Sequence, residues 1–407
     1  MFSLKKLPPY PICFAWLTFS LTVAFAGLLF IIPGQIARYS LIALCLITIF
    51  SSYKYHRSSD FYRSFSIFIK PWLIWIMGMC ILCSYHGMAG FSRHLTAFAL
   101  LGLLFFSLKH IQIKKDSLII ALALISTLLS VLICLAVGYD IYTKGSVQTY
   151  ILGINKNLLM PPATLVSVCC LVALLTKQIQ LNKWTNTILV ICVVASFIAL
   201  VLSETRTALL AYLALIPTLI IYCKNNRKPL LYFFIFLSVM FLAFLLTGRL
   251  QEGISDLVKY STGDSRSSWG IRLDLWKAAL DTFSAHPIFG LGGSFKVSDM
   301  AIELPDYVKQ TRHLHSDYLQ FLVMGGIIAF FSWISTCVLL VKNSLNNPFN
   351  FTIILSALAM GLSDKVWNSW LFLIVFICFY TLFYLSNSPS EQANYKNGTT
   401  HNSAIIK

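Results

Sequence analysis

Residues 312–341 read RHLHSDYLQFLVMGGIIAFFSWISTCVLLV. A polar lead-in carrying an arginine, two histidines and an aspartate gives way to an apolar run long enough to cross a bilayer, which takes about 20 helical residues. The same pattern extends in both directions from this stretch. Apolar runs recur near 11–32, 36–53, 71–88, 94–108, 117–138, 158–176, 184–203, 206–223, 229–247, 317–341, 350–363 and 370–386, joined by short polar segments. Only between Gly248 and Arg312 does a long polar stretch interrupt them. Composition agrees: 57% of the 407 residues are hydrophobic and 11% charged, against roughly 25% charged in an ordinary soluble domain. The mean hydropathy is +0.76. A soluble globule is excluded, and the expected fold is an all-α integral membrane protein of about 12 transmembrane helices with one large outer loop. The expected divisions are helices one to nine over 1–247, the loop over 248–316, helices ten to twelve over 317–386, and a disordered tail over 387–407. The first run follows Lys5 and Lys6 as a signal sequence would, but Pro33-Gly34-Gln35 offers no small-residue cleavage site, so it reads as a retained helix.

A net charge of +16 raises the question of nucleic acid, and the positions of the cations answer it. Seventeen of the 31 Lys and Arg residues fall on alternate joints, beginning with Lys5 and Lys6 and including Lys54, Arg57, Lys114, Lys115, Arg227 and Lys228. The short joints of the other set hold Arg38, Arg93, Lys144, Lys156, Arg206 and Lys365. By the positive-inside rule both termini are cytoplasmic and the long loop is outside, so the basic character is topology and no nucleic-acid partner is expected.

All eleven cysteines lie in or at the ends of apolar runs, and Cys80-x-x-Cys83 has no second pair, so neither disulfides nor a metal site are expected from them. Walker and Rossmann glycine patterns and internal repeats are absent from the sequence, which disfavours nucleotide-driven and transporter readings. Any energy for chemistry then arrives with the substrate. Within the long loop, WGIRLDLWKAALDTF (269–283) spaces Trp269, Leu273, Trp276, Leu280 and Phe283 as the apolar side of an amphipathic helix. His286-Pro287 and Gly290 to Gly293 then break it, and the segment up to Arg312 is irregular.

Three places could carry chemistry. Arg206, in SETRTALL (203–210), sits at the outer edge of the eighth run, where the topological bias disfavours arginine. A guanidinium there could grip phosphate oxygens in parallel hydrogen bonds, or simply snorkel beside Glu204. Arg272 offers a second outer-side guanidinium, or a solvated polar face. Two such cations could stabilise a pyrophosphate leaving group. His313 and His315 lie where the chain re-enters the membrane, and an imidazole there could take a proton from a hydroxyl or merely orient the helix. A His-x-His metal pair is the weaker reading, because no third histidine or cysteine lies near it in sequence. Lys156, Asn157, Asp364 and Lys365 occupy outer joints, where they could touch sugar or phosphate or be ordinary loop residues.

These pieces, in this order, resemble the O-antigen ligase and polymerase superfamily. The outer-edge T-R-T-A-L-L (205–210), then R-L-x-x-W-K-A-A-L (272–280) and H-P-I-F-G-L-G (286–292), then H-S-D-Y-L-Q-F-L-V-M-G-G (315–326) carry the likeness, although Ser316 stands where the family has asparagine. The resemblance implies Arg206 and Arg272 as pyrophosphate-binding catalytic residues and His315 as the base. Lys156, Asn157, Trp276, Arg312, His313 and Asp364 are the substrate-binding candidates that accompany them. It implies no metal and no cofactor. The donor would be an undecaprenyl-pyrophosphate-linked glycan at the periplasmic face of the bacterial inner membrane, and the acceptor a sugar hydroxyl of lipid A-core, making the protein an O-antigen ligase that completes lipopolysaccharide. An O-antigen polymerase would use the same donor with a lipid-linked chain as acceptor; a protein O-oligosaccharyltransferase usually carries more C-terminal mass. A non-enzymatic transporter of the glycan should show charges deep within its spans, whereas here they gather at the outer ends.

Overall fold

The computed structural model describes residues 46, 59–109, 115–147, 150–151, 154–177, 182–300 and 304–386. The expected runs at 11–32 and 36–53 and the tail after 386 lie outside these residues, apart from position 46. The described chain is helical, with one two-residue antiparallel pair, Tyr150–Ile151 with Ile154–Asn155. In chain order the helices are α1 (Ser59–His86), α2 (Ser92–Leu108), α3 (Lys115–Lys144), α4 (Lys156–Thr176), α5 (Lys183–Ser203), α6 (Arg206–Leu213), α7 (Leu215–Tyr222), α8 (Lys228–Leu246), α9 (Arg249–Ser261), α10 (Ser268–Ala285), α11 (Asp306–Lys309), α12 (Asp317–Asn343), α13 (Pro348–Gly361) and α14 (Trp370–Leu385). Six of them, α1, α3, α4, α5, α8 and α12, are long and apolar enough to cross a membrane. The apolar segments of α2, α6–α7, α13 and α14 are shorter.

Three expected runs change shape. The third starts at Ser59, twelve residues before Pro71, because α1 continues through the proline despite its missing N–H. The fifth lengthens to 30 residues, and its last turn is closed by an ion pair from Lys144 Nζ to Asp140 Oδ1 at 2.7 Å. The eighth breaks at Ala214, three residues before Pro217, where the carbonyl of Leu213 loses the N–H that would have answered it.

Burial separates the centre from the rim. The apolar part of α4 is 83% buried and touches α3, α5, α6, α7, α13 and α14, whereas the apolar part of α8 is 17% buried and turns Leu231, Phe234, Phe241 and Leu242 outward. Outward apolar faces on α1, α3, α5 and α8 suit contact with lipid, where burial against water is not what holds helices together. Inside, Trp75, Phe321, Trp333 and Trp367 pack through edge-to-face, tilted and stacked contacts with ring centres 4.7–5.9 Å apart, a stiff aromatic floor beneath one end of the bundle.

The polar stretch after Gly248 folds onto that end as a cap. Where one helix was expected, the described residues hold α9, α10 and the single-turn α11. Ser267 caps α10 by accepting from Gly270 N at 3.1 Å. The buried face of α10 is Leu275, Ala278, Ala279 and Thr282, while Leu280, expected on the apolar side, is half-exposed. The reason is the partner: Leu275 and its neighbours pack on Val297, Met300, Val308, Leu314 and Val323, so small residues face the close approach to α12. Burial of a side chain like Leu275 contributes about 1.5–3 kcal/mol.

The glycine motifs splice cap and bundle together. Non-helical angles at Gly325 and Gly326 interrupt α12. The carbonyls of Val323 and Met324, robbed of helical partners, accept instead from Leu291 N at 2.8 Å and Gly292 N at 3.0 Å, and Ile327 N donates to Pro287 O at 2.8 Å. Gly326 has φ of +57°, and a Cβ on it would lie 2.3 Å from Ile288 O. Thus HPIFGLG and VMGG are two halves of one backbone joint.

Candidate active site

Four segments meet between the cap and the bundle end. Arg206 and Thr207 open α6; Arg272 projects from α10; His313 and His315 lie on the last non-helical residues before α12; and Ser363, Asp364 and Lys365 belong to the turn between α13 and α14. Ser363 Oγ donates to Thr207 Oγ1 at 3.1 Å, which fixes the positions next to Arg206 and Asp364 against each other. Arg206 Nη2 is 3.8 Å from Glu252 Oε2 of α9. Arg272 lies over the Trp269 ring, 5.7 Å from its centre. A Cβ on Gly253 would stand 3.5 Å from Trp269 Nε1 and 3.7 Å from Arg206 Nη1, so the two guanidinia flank one tryptophan. Burial holds the Arg272 guanidinium below its ordinary pKa; Asp364 raises it again and Arg206 lowers it further, so Arg272 feels both neighbours.

Asp364 is the hub. Its Oδ1 is 3.5 Å from His313 Nε2 and 3.7 Å from His315 Nδ1, and it accepts from Lys365 N at 2.8 Å. Burial alone would raise its pKa, but the combined pull of the His313 and His315 imidazoles beside it outweighs burial and leaves the carboxyl well below the usual carboxylate range. Burial also holds His313 below the ordinary histidine value, against the pull of Asp364. The Lys365 ammonium is lowered by burial first and then by Arg93, with Arg312 contributing. The imidazole rings of His313 and His315 are 4.2 Å apart, although the two residues would point to different faces on a regular helix. A left-handed backbone at His315, φ 51°, turns both rings to one side. That conformation is held by two bonds to the peptide groups of Leu314: Trp276 Nε1 donates to its carbonyl at 2.9 Å, and its N–H donates to Gln320 Oε1 at 3.3 Å. A non-glycine residue kept in this region among convergent polar groups makes the segment a candidate functional site.

The sequence candidates divide accordingly. Arg206, Arg272, His313, His315 and Asp364 converge. Trp276 holds the histidine segment through its indole N–H, and Arg312 is exposed at the rim. Lys156 and Asn157 open α4, and their side chains lie outside what is described. The His-x-His pair, which has no third histidine or cysteine near it in sequence, gains a carboxylate in space from Asp364, and the three form a cluster able to hold a metal ion.

The residues not anticipated lie one layer deeper. Asp317 is fully buried and accepts from Trp367 N at 2.8 Å, Asn368 N at 3.1 Å and Asn368 Nδ2 at 3.0 Å, tying the start of α12 to the turn that carries Asp364. Asn368 Oδ1 in turn meets His94 Nε2 at 3.2 Å, and Arg93 Nη1 donates to Asn368 O at 2.9 Å. A carboxylate at the mouth of an apolar run was the available signal for Asp317. Nothing in the sequence pairs it with residue 368.

Cations, a carboxylate and imidazoles at one bundle end can bind a polyanion and move a proton beside it. Residues 191–334 match the family model described as O-Antigen ligase, a stretch that holds both arginines and both histidines and stops short of Asp364. No curated protein matches the chain.

Proposed function

Because residues 191–334 carry a domain of the O-antigen ligase family, within a multi-pass membrane protein, we propose that the chain is a glycosyltransferase that moves O-antigen polysaccharide from undecaprenyl pyrophosphate to a sugar hydroxyl of lipid A-core, completing lipopolysaccharide. In this reading both termini are cytoplasmic and the cap of residues 248–316 faces the periplasm. The observation that carries the reading is the convergence of Arg206 and Arg272 with the Asp364–His315 pair under that cap.

In this reading the pyrophosphate oxygens lie against Arg206 and Arg272, which balance the negative charge that develops as the anomeric carbon–oxygen bond breaks. The acceptor hydroxyl attacks that carbon and its proton passes to His315. Because Nδ1 of His315 faces Asp364, the free lone pair is on Nε2, the nitrogen that receives the proton. At 3.7 Å the Asp364 contact is longer than a hydrogen bond, and the reading requires it to shorten when substrate fills the site. Two guanidinia replace the divalent cation that would otherwise neutralise the leaving group, so the transfer needs no metal. Lys156, Asn157, Arg312, His313 and Lys365 contribute to glycan and phosphate binding.

The test is transfer in vitro by purified protein from undecaprenyl-pyrophosphate glycan to lipid A-core, in the presence of chelator. Wild type should ligate, and H315A and R206A should not. Lengthening of the lipid-linked glycan without ligation would make the chain a polymerase; normal ligation by H315A would remove His315 as base.

A further inference from the structure

We propose that His313, His315 and Asp364 form a binding site for a zinc-type divalent metal, and that an ion bound there switches the transfer site off. The first half rests on geometry alone; the second rests on the reading of His315 as base. One donor atom from each residue lies within 4.8 Å of the other two, and Asp364 Oδ1 is 3.5 Å and 3.7 Å from the imidazole nitrogens. Around a tetrahedral ion with bonds of about 2.0–2.1 Å, neighbouring donors stand roughly 3.3–3.4 Å apart. The two carboxylate–imidazole distances therefore need to close by a few tenths of an ångström, and the two imidazole nitrogens, within 4.8 Å of each other, by up to roughly 1.4 Å, a movement of side chains alone. An octahedral magnesium ion would want donors roughly 2.9 Å apart, and oxygen ones. Two imidazoles and one carboxylate with a fourth position open are a donor set suited to zinc.

Two further observations support binding. Nδ1 of His315 is buried and has no hydrogen-bond partner among the described residues, so a donor atom faces Asp364 with nothing attached. The ligands are also held in advance: Trp276 and Gln320 fix the Leu314 peptide between the histidines, and Asp317 fixes the turn of Asp364. The cations around the cluster oppose another positive charge, so the expected affinity is on the order of micromolar, weaker than that of structural zinc sites.

Inhibition follows from the tautomer. A base that accepts at Nε2 must carry its ring proton on Nδ1. A metal ion on Nδ1 occupies that nitrogen's lone pair and leaves the ring proton on Nε2, which then has no lone pair for the acceptor hydroxyl. Asp364 is at the same time drawn to the ion and away from its partner.

The experiment uses the full chain in detergent, free of any histidine tag and stripped with chelator. Cobalt(II) titration should give the intense visible bands of a tetrahedral complex at one ion per chain, and zinc should bleach them. H313Q and D364N should each abolish the bands, while H286A, changed at an exposed histidine outside the cluster, should keep them. In the transfer assay saturating zinc should lower the wild-type rate at least tenfold, and chelator should restore it. Absence of the bands, or their survival in both H313Q and D364N, overturns the metal site and leaves the base assignment standing. Bands that depend on the cluster with an undiminished transfer rate keep the site but sink the switch and, with it, His315 as base. Loss of transfer in chelator, regained with zinc, overturns the inhibitory role.

Discussion

Replacing Gly326 with alanine tests whether the cap is held by the backbone joint or by side-chain packing. The residue sits at φ +57° and ψ −150°, a region open essentially to glycine, so a Cβ there costs about 1–3 kcal/mol in backbone strain. The added carbon would also lie 2.3 Å from Ile288 O and 2.5 Å from Pro287 O. Both are main-chain atoms that cannot swing aside, so the 287–291 segment must lift. Lifting it breaks the bonds from Ile327 N, Leu291 N and Gly292 N, each worth roughly 0.5–1.5 kcal/mol net. Strain and lost bonds together make about 2.5–7.5 kcal/mol against the docked cap. The helices beneath keep their own packing, so the effect should be local. Limited proteolysis should cut G326A between residues 286 and 312 well before wild type, transfer should fall at least a hundredfold, and helical circular dichroism at 25 °C should be unchanged. Gly102 is the control: nothing lies within 4 Å of its Cβ position, and G102A should behave as wild type. If G326A resists protease and transfers normally, the cap is not anchored at the α12 break and the account of these motifs is wrong.

Other outcomes follow from the same geometry. D364N keeps the shape of the hub but can no longer orient a neutral His315 by accepting its Nδ1 proton, and transfer should fall by about 10²–10⁴-fold, the range of a general base; a rate within threefold of wild type would exclude Asp364 as the orienting group. D317N replaces one of two accepting oxygens with an amide facing N–H donors, so the thermal midpoint should drop, by a free energy of about 1–3 kcal/mol. An unchanged midpoint would mean the turn at 367–368 is held by something else. R272K keeps the charge but loses the planar fork and its contact with Trp269, and should lower transfer more than tenfold with the protein still folded; equality with wild type would reduce Arg272 to a point charge.

The sequence was legible wherever one local rule dominated. Apolar run length located α2, α4, α5, α8, α12, α13 and α14 to within a few residues, because a helix in lipid must satisfy its backbone within itself. The rule failed where prolines act according to context: Pro71 is absorbed inside α1, whereas Pro217 lies just after the break between α6 and α7. It also failed in the cap, where α9 carries Ile254, Leu257 and Val258 outward in an otherwise polar stretch.

The candidate site shows the sharper boundary. Arg206, Arg272 and His315 were legible because each sits in a local pattern that a sequence displays. How they come together was not, because it depends on contacts between residues far apart in the chain. Asp364 meets His315 from 49 positions away, Arg93 and His94 reach Asn368 across 275 and 274, and the cap is pinned where Leu291 pairs with Val323. None of these pairs has a helical spacing or a shared motif. One prior inference was available all the same. Two histidines two apart cannot share a face of a helix. Their joint use therefore demanded a break before α12, and the left-handed turn at His315 is that break. A motif that would be incoherent on a regular element is evidence that the element ends there, and in this chain the end of the helix is where the candidate residues gather.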